Sequence, residues 1–213
     1  MKWIYYFVFF LFISFFISFF CFIQKGIAKE QQIFKPDIYH LRRIKVGVPN
    51  ASNLEVKEKV EEFVLKEKQS FLQMLKNNTI QNEIVYTLDI SYENYSSSYY
   101  ESYVFFLTVY TGGAHSNTTI WTINYDCKKR EFITIDTFLK EDKNFLQKIS
   151  RSIRGDLLVS PKITNTLMLM EGTKAIKENF ENFVICDQKL IFYFEPYQVA
   201  PYSSGIIIST YNL

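Results

Sequence analysis

Two short strings in this chain carry residue types from which a site can be built. The first is Tyr110-Thr111-Gly112-Gly113-Ala114-His115-Ser116-Asn117; the second is Glu195-Pro196-Tyr197-Gln198-Val199-Ala200-Pro201-Tyr202. In the first, paired glycines let backbone N–H groups approach a ligand, and the adjacent imidazole can act as a base. Ser116 and Asp126 add the residue types of a hydrolytic triad. Neighbouring residues of an extended chain point to opposite faces, however, which places Ser116 badly for a bond to His115. The Gly-x-Ser-x-Gly elbow of many hydrolases is also missing. A turn with glycines at positive φ, against which His115 caps or packs, is therefore preferred to catalysis.

In the second string, two prolines stiffen a loop and lower the entropy lost when it engages a partner. Tyrosines there offer the large amphipathic contact area of binding hot spots. The competing reading is a rigid crossover whose tyrosines pack on a sheet. The candidate partner-binding residues are thus Gly112, Gly113, His115, Asn117, Pro196, Tyr197, Pro201 and Tyr202. Tyr92, Tyr95, Tyr99, Tyr100 and Tyr103 surround a serine-rich loop and read as core and rim of a sheet in preference to an adaptable contact surface. Glu195 and Asp126 are carboxylates, but nothing in the sequence sets them the roughly 5–10 Å apart that glycoside hydrolysis needs. No catalytic residue is assigned.

Two histidines, His40 and His115, without Cys-x-x-Cys or His-x-x-x-His spacing make a metal site unexpected, and no cofactor is implied. Cys127 and Cys186 sit near strand ends and form a candidate disulfide in an oxidising compartment, with two free thiols as the alternative.

The compartment follows from the N-terminus. Trp3 to Ile23 is an apolar and aromatic run without charge, preceded by Lys2 and followed by Gly26-Ile27-Ala28. Residues 1–28 read either as a cleaved signal peptide or as an uncleaved membrane anchor. Either way the rest is expected outside the cytoplasm, periplasmic or secreted, with membrane contact only through residues 3–23 if they are retained. Of 24 basic and 22 acidic residues, two basics (Lys2 and Lys25) and no acids fall in that segment. The remainder is neutral, which gives no support for nucleic-acid binding.

The elements that must position the candidate residues follow from periodicity. Ile38 to Val48 alternates as a strand. Ser52 to Glu55 has the pattern of a capping box, and apolar residues at helical spacing from Val56 to Leu75 predict an amphipathic helix over about 53–76. Strands are predicted over 84–92, 103–111, 118–125 and 131–135, a helix over about 142–158, a short helix over 174–180, and strands over 183–186, 190–194 and 205–211. Residues 160–170 stay unassigned. The fold class is α+β: an antiparallel sheet with helices packed on one face, in two subdomains of one compact unit. Residues 29–102 form the N-terminal subdomain and 103–213 the C-terminal one.

The two strings, with Asn124-Tyr125-Asp126 and Ile133-Thr134-Ile135-Asp136 between them, resemble the extracytoplasmic domain of RsiV-type anti-sigma factors. A similar domain precedes the catalytic domain of peptidoglycan deacetylases related to PdaC. The resemblance spans about 38–213 and is strongest from Tyr103 onward. It implies an α+β sensor or binding module that recognises a lysozyme-like protein or cell-wall glycan. Only Met1-Lys2 precede the hydrophobic run, and Leu213 follows the last predicted strand. The expectation is therefore the module without a sigma-binding or deacetylase part. The leading reading is a non-enzymatic envelope binding protein. Its rivals are a cell-wall-modifying hydrolase using His115 and a structural protein of an envelope assembly.

Overall fold

Strands dominate where β-branched and aromatic residues alternate with polar ones. A computed structural model describes residues 42–77 and 85–213. The expected signal or anchor segment, His40 and the first residues of two predicted strands (Ile38 and Ile84) lie outside those residues. Strands β1 (Arg42–Val46), β2 (Tyr86–Asn94), β3 (Tyr100–Tyr110), β4 (Asn117–Asp126) and β5 (Glu131–Phe132) form one sheet in that order. The β1–β2 pair is parallel and the others are antiparallel. Strands β6 (Phe183–Cys186), β7 (Lys189–Phe194) and β8 (Ile207–Asn212) make a second, wholly antiparallel sheet. The predicted α+β class with antiparallel sheets is what the molecule has. Among the described residues, no helix is long and apolar enough to cross a membrane.

Each sheet carries its helices on one outer face. Helix α1 (Leu54–Asn77) lays Val56, Val60, Phe71 and Leu75 on Leu88, Ile90, Tyr103 and Phe105 of the large sheet. Helices α2 (Ile135–Glu141), α3 (Phe145–Leu158) and α4 (Thr166–Gly172) cover Phe183, Ile185, Phe192 and Phe194 of the small one. The inner faces of the two sheets meet through Val104, Ile120, Val184 and Tyr193. The period-two alternation explains this. On β3, Tyr103 and Phe105 face α1 while Val104 and Phe106 face the other sheet. The division proposed from sequence at 102/103 lies inside β3.

Polar groups fasten the sheets. Asn124 on β4 donates its amide Nδ2 to Phe183 O (2.8 Å) and accepts from Ile185 N (3.1 Å), acting as one extra bridge along the edge of β6. Tyr193 donates its hydroxyl to that of Tyr95 at 2.8 Å, and Tyr95 donates to Glu93 at 2.7 Å. Burial pushes the Tyr95 hydroxyl up to about 12 and the Tyr193 hydroxyl higher, so both keep their protons. Tyr92 and Tyr103 meet edge to face in the same sheet. Of the tyrosine cluster, Tyr99 stands out into solvent.

Two local expectations need correction. The start of α1 is not a Ser52/Glu55 box. Asn53 Oδ1 accepts from Glu55 N, while Ser52 N and Asn53 N donate to the carboxylate of Glu101 on β3, at 2.6 and 3.0 Å. Glu101 is 3% exposed and also accepts from the Tyr103 hydroxyl at 2.9 Å. A buried carboxylate at a helix N-terminus, with three donors, has its charge met by the helix dipole and by hydrogen bonds. Replacing Glu101 with Gln puts an N–H₂ against a donor and should lower unfolding free energy by about 2–3 kcal/mol. Urea denaturation with an unchanged slope would show this loss. The second correction concerns residues 131–135. The strand ends at Phe132 because Ile135 already begins α2, for which Thr134 and Thr137 form a reciprocal capping box.

Candidate functional site

The two strings singled out by sequence meet at one end of the molecule. Between the last paired residues of the β3–β4 hairpin, Val109 and Asn117, the chain makes an exposed tip, stapled below by the Thr108 and Thr118 hydroxyls at 3.0 Å. Gly112 takes φ 88°, the positive value expected of both glycines, whereas Gly113 does not take a positive φ. Gly113 and His115 are exposed, and Asn117 opens β4 as an exposed residue.

The His115 ring stacks on Tyr202, with centroids 3.8 Å apart and planes 22° from parallel. One acceptor aligns them: the Ser116 carbonyl takes the Tyr202 hydroxyl at 2.9 Å and stands 2.9 Å from His115 Nδ1. A carbonyl only accepts, so this contact assigns the imidazole proton to Nδ1 and leaves Nε2 as the acceptor nitrogen of the neutral ring. Tyr197 completes the group, 5.6 Å from Tyr202 and 6.5 Å from His115 by ring centroid. Tyr197 is 55% exposed.

The backbone at Tyr197 is unusual. Gln198 N donates to Glu195 O at 3.0 Å and closes a four-residue turn with Pro196 second and Tyr197 third. Tyr197 has φ 73°, as the third position of a type II turn demands, where glycine or asparagine is the ordinary occupant. Holding a bulky aromatic there costs about 1–2 kcal/mol and persists because the surroundings impose it.

Those surroundings are residues that the sequence did not single out for this task. Glu195 Oε1 accepts Ile120 N of β4 at 2.7 Å, tying the loop to the hairpin. Gln198 accepts from Glu195 N and donates to the carbonyls of Gly172 and Asn179. Gly172, at the end of α4, lies directly against Gln198: a Cβ there would sit 2.0 Å from the Gln198 carbonyl oxygen. Val199 and Ala200 are buried beneath, and Pro196 and Pro201 flank the turn half-buried. The loop is therefore both a packed crossover and a presented surface; Tyr202 serves the first role in part, Tyr197 the second.

The cluster offers aromatic contact, hydrogen bonding and an imidazole acceptor nitrogen. The two carboxylates noted from sequence do not form a pair. Glu195 holds Ile120 N, whereas Asp126 lies six residues further along β4, roughly 20 Å at the rise of an extended strand. There Asp126 accepts Lys128 N and Lys129 N in the β4–β5 turn. No disulfide joins Cys127 to Cys186 in this structure; the first is exposed and the second half-buried. Among the described residues, no three metal-ligating side chains gather.

Comparison with known proteins places part of this architecture. Residues 136–209 match the model of a family described as a protein of unknown function, DUF3298. That span contains the Glu195–Tyr202 loop but not the hairpin tip. A stretch of 92 residues is 41% identical to the peptidoglycan-N-acetylmuramic acid deacetylase PdaC of Bacillus subtilis, over 43% of this chain and 20% of that protein. A stretch of 150 residues is 25% identical to the immunogenic protein MPT64 of Mycobacterium tuberculosis, covering 68% of this chain and 64% of the relative. The alignment thus spans only about a fifth of the deacetylase. Among solved structures, a DUF3298 family protein from Pseudomonas aeruginosa superposes with a TM-score of 0.52 at 13% identity, covering 72% of this chain and 73% of that one. At that identity the likeness concerns the fold alone.

Proposed function

We propose that this chain is an extracytoplasmic, non-enzymatic binding module of the RsiV type, and that it recognises a lysozyme-like protein or cell-wall glycan. The observation that carries the reading is Tyr197: an exposed aromatic in a strained turn, set beside the stacked His115 and Tyr202. Strain kept at a surface position, with the loop behind it buttressed, is a mark of functional positioning. Aromatic groups so presented bury area on a partner with little further loss of freedom. The identity shared with a peptidoglycan deacetylase supports a cell-wall setting, and the apolar run at 3–23 supports export.

The test is calorimetric titration of the purified protein with lysozyme and, separately, with soluble peptidoglycan fragments. Micromolar or tighter binding to either supports the module and identifies the class of ligand. Heat with neither removes the reading and favours a structural role, for which another envelope protein should co-purify. Turnover of the fragments that disappears in His115→Ala, with the fold retained, would establish the hydrolase instead.

A further inference from the structure

A sheet edge presents unpaired N–H and C=O groups, and soluble proteins guard such edges with charge, shortness or a cover. Among the described residues, every sheet edge but one is guarded. Strand β1 carries Arg42, Arg43 and Lys45 within five residues. Strand β5 is two residues long. Beyond β5, the edge of β4 meets the Glu195 carboxylate at Ile120 N. The edge of β6 is covered at Phe183 O and Ile185 N by the Asn124 amide.

Strand β8 is the exception. It ends the small sheet, and from Gly205 to Leu213 (Gly-Ile-Ile-Ile-Ser-Thr-Tyr-Asn-Leu) there is neither charge nor proline. Its outward groups can be assigned by alternation. Tyr193 N bonds Asn182 O on the β6 side, and Leu213 N bonds Gln188 O on the β7 side. Hence Ile207, Ser209 and Tyr211 bond β7, while Ile208, Thr210 and Asn212 direct their N–H and C=O away from the sheet. The side chains of those three outward residues are exposed, with Ile208 at 53%.

We propose that this edge pairs with β8 of a second copy of the chain, antiparallel, with Thr210 opposite Thr210 on the two-fold axis. Two conditions select a second copy. Two-fold pairing must set residues of one face opposite each other and outward groups opposite outward groups. The register Ile208↔Asn212, Thr210↔Thr210 meets both and joins the two three-stranded sheets into six strands. The strand is also uncharged, so an identical partner meets no like-charge repulsion, which would oppose pairing at β1. The proposal is independent of the aromatic cluster.

The test is oxidative cross-linking of the full-length chain carrying Thr210→Cys, with the unsubstituted chain as control for its own thiols. Directly opposed residues of an antiparallel pair lie about 5.5 Å apart at Cα, within the range a disulfide spans. A covalent dimer of twice the chain mass, absent from the control, is expected. Thr210→Pro removes the central outward N–H yet suits an edge strand. By sedimentation it should raise the dimer dissociation constant on the order of tenfold or more, with the circular dichroism unchanged. Thr210→Lys places two charges on the axis and should act likewise. Cross-linking no stronger than the control overturns the proposal, as does an adduct of another mass, which would mark a foreign strand.

Discussion

Gly172→Ala is expected to lower the unfolding free energy by about 3 kcal/mol, a large effect for one methyl group. The added Cβ would lie 2.0 Å from Gln198 O, 2.7 Å from the Gln198 carbonyl carbon and 2.9 Å from Val199 Cγ1. Two of these are backbone atoms, and the following residues, Val199 and Ala200, are 0% and 2% exposed, so the loop has no room to retreat. Relief must come from moving α4 or the Glu195–Tyr202 loop. The second movement would separate Tyr197 and Tyr202 from His115. Chemical denaturation gives the energy, and near-ultraviolet circular dichroism of the tyrosines reports the rearrangement. A loss under about 1 kcal/mol, within the range of ordinary surface substitutions and mild repacking, would contradict the close approach of α4 to the loop.

Asn124→Ala should be about as costly, near 3 kcal/mol, for a different reason. The side chain satisfies Phe183 O and Ile185 N in a place where Asn124 itself is 3% exposed and Phe183 and Ile185 are 1% and 2% exposed. Alanine orphans both groups, each at about 1–3 kcal/mol. The comparison is Thr122→Ala, two residues away on the same strand. Its hydroxyl reaches Glu181 O at a long 3.3 Å in an exposed setting and should cost less than about 0.5 kcal/mol. Equal losses for the two variants would contradict the view that Asn124 joins the sheets.

The elements with a single strong period were legible in the sequence. Helix α1, predicted over 53–76, runs Leu54–Asn77, and the alternating strands fall within a few residues of their predicted bounds. The misreadings have different causes. Asn53 Oδ1 caps Glu55 N at the start of α1, while the N–H groups of Ser52 and Asn53 go to Glu101, on a strand 48 residues from Asn53 in sequence, a contact that a local Ser-x-x-Glu pattern could not disclose. Helix α4 lay in the unassigned stretch because its seven residues bury only Leu169 and Gly172, too few to show a period. The candidate site was half legible. His115, Tyr197 and Tyr202 were visible as residue types in turn-forming strings. That they form one cluster depends on Glu195 reaching Ile120 across 75 residues, a contact that no spacing rule encodes. Nor does the sequence show that Tyr197 occupies a glycine position, because Pro196-Tyr197 fits several turn types.

The claim that Tyr197 is held in strain for recognition is tested most directly by Tyr197→Gly, compared with the unsubstituted protein in two assays. Glycine adopts φ near 73° without steric cost, so stability should be unchanged or rise by up to about 1 kcal/mol. Binding to the ligand that the titrations identify, lysozyme or peptidoglycan fragments, should weaken at least about tenfold, as loss of a contact aromatic does. Stability kept and affinity lost is the result this account predicts. Affinity equal to that of the unsubstituted protein would contradict it and make the strained tyrosine an accident of packing.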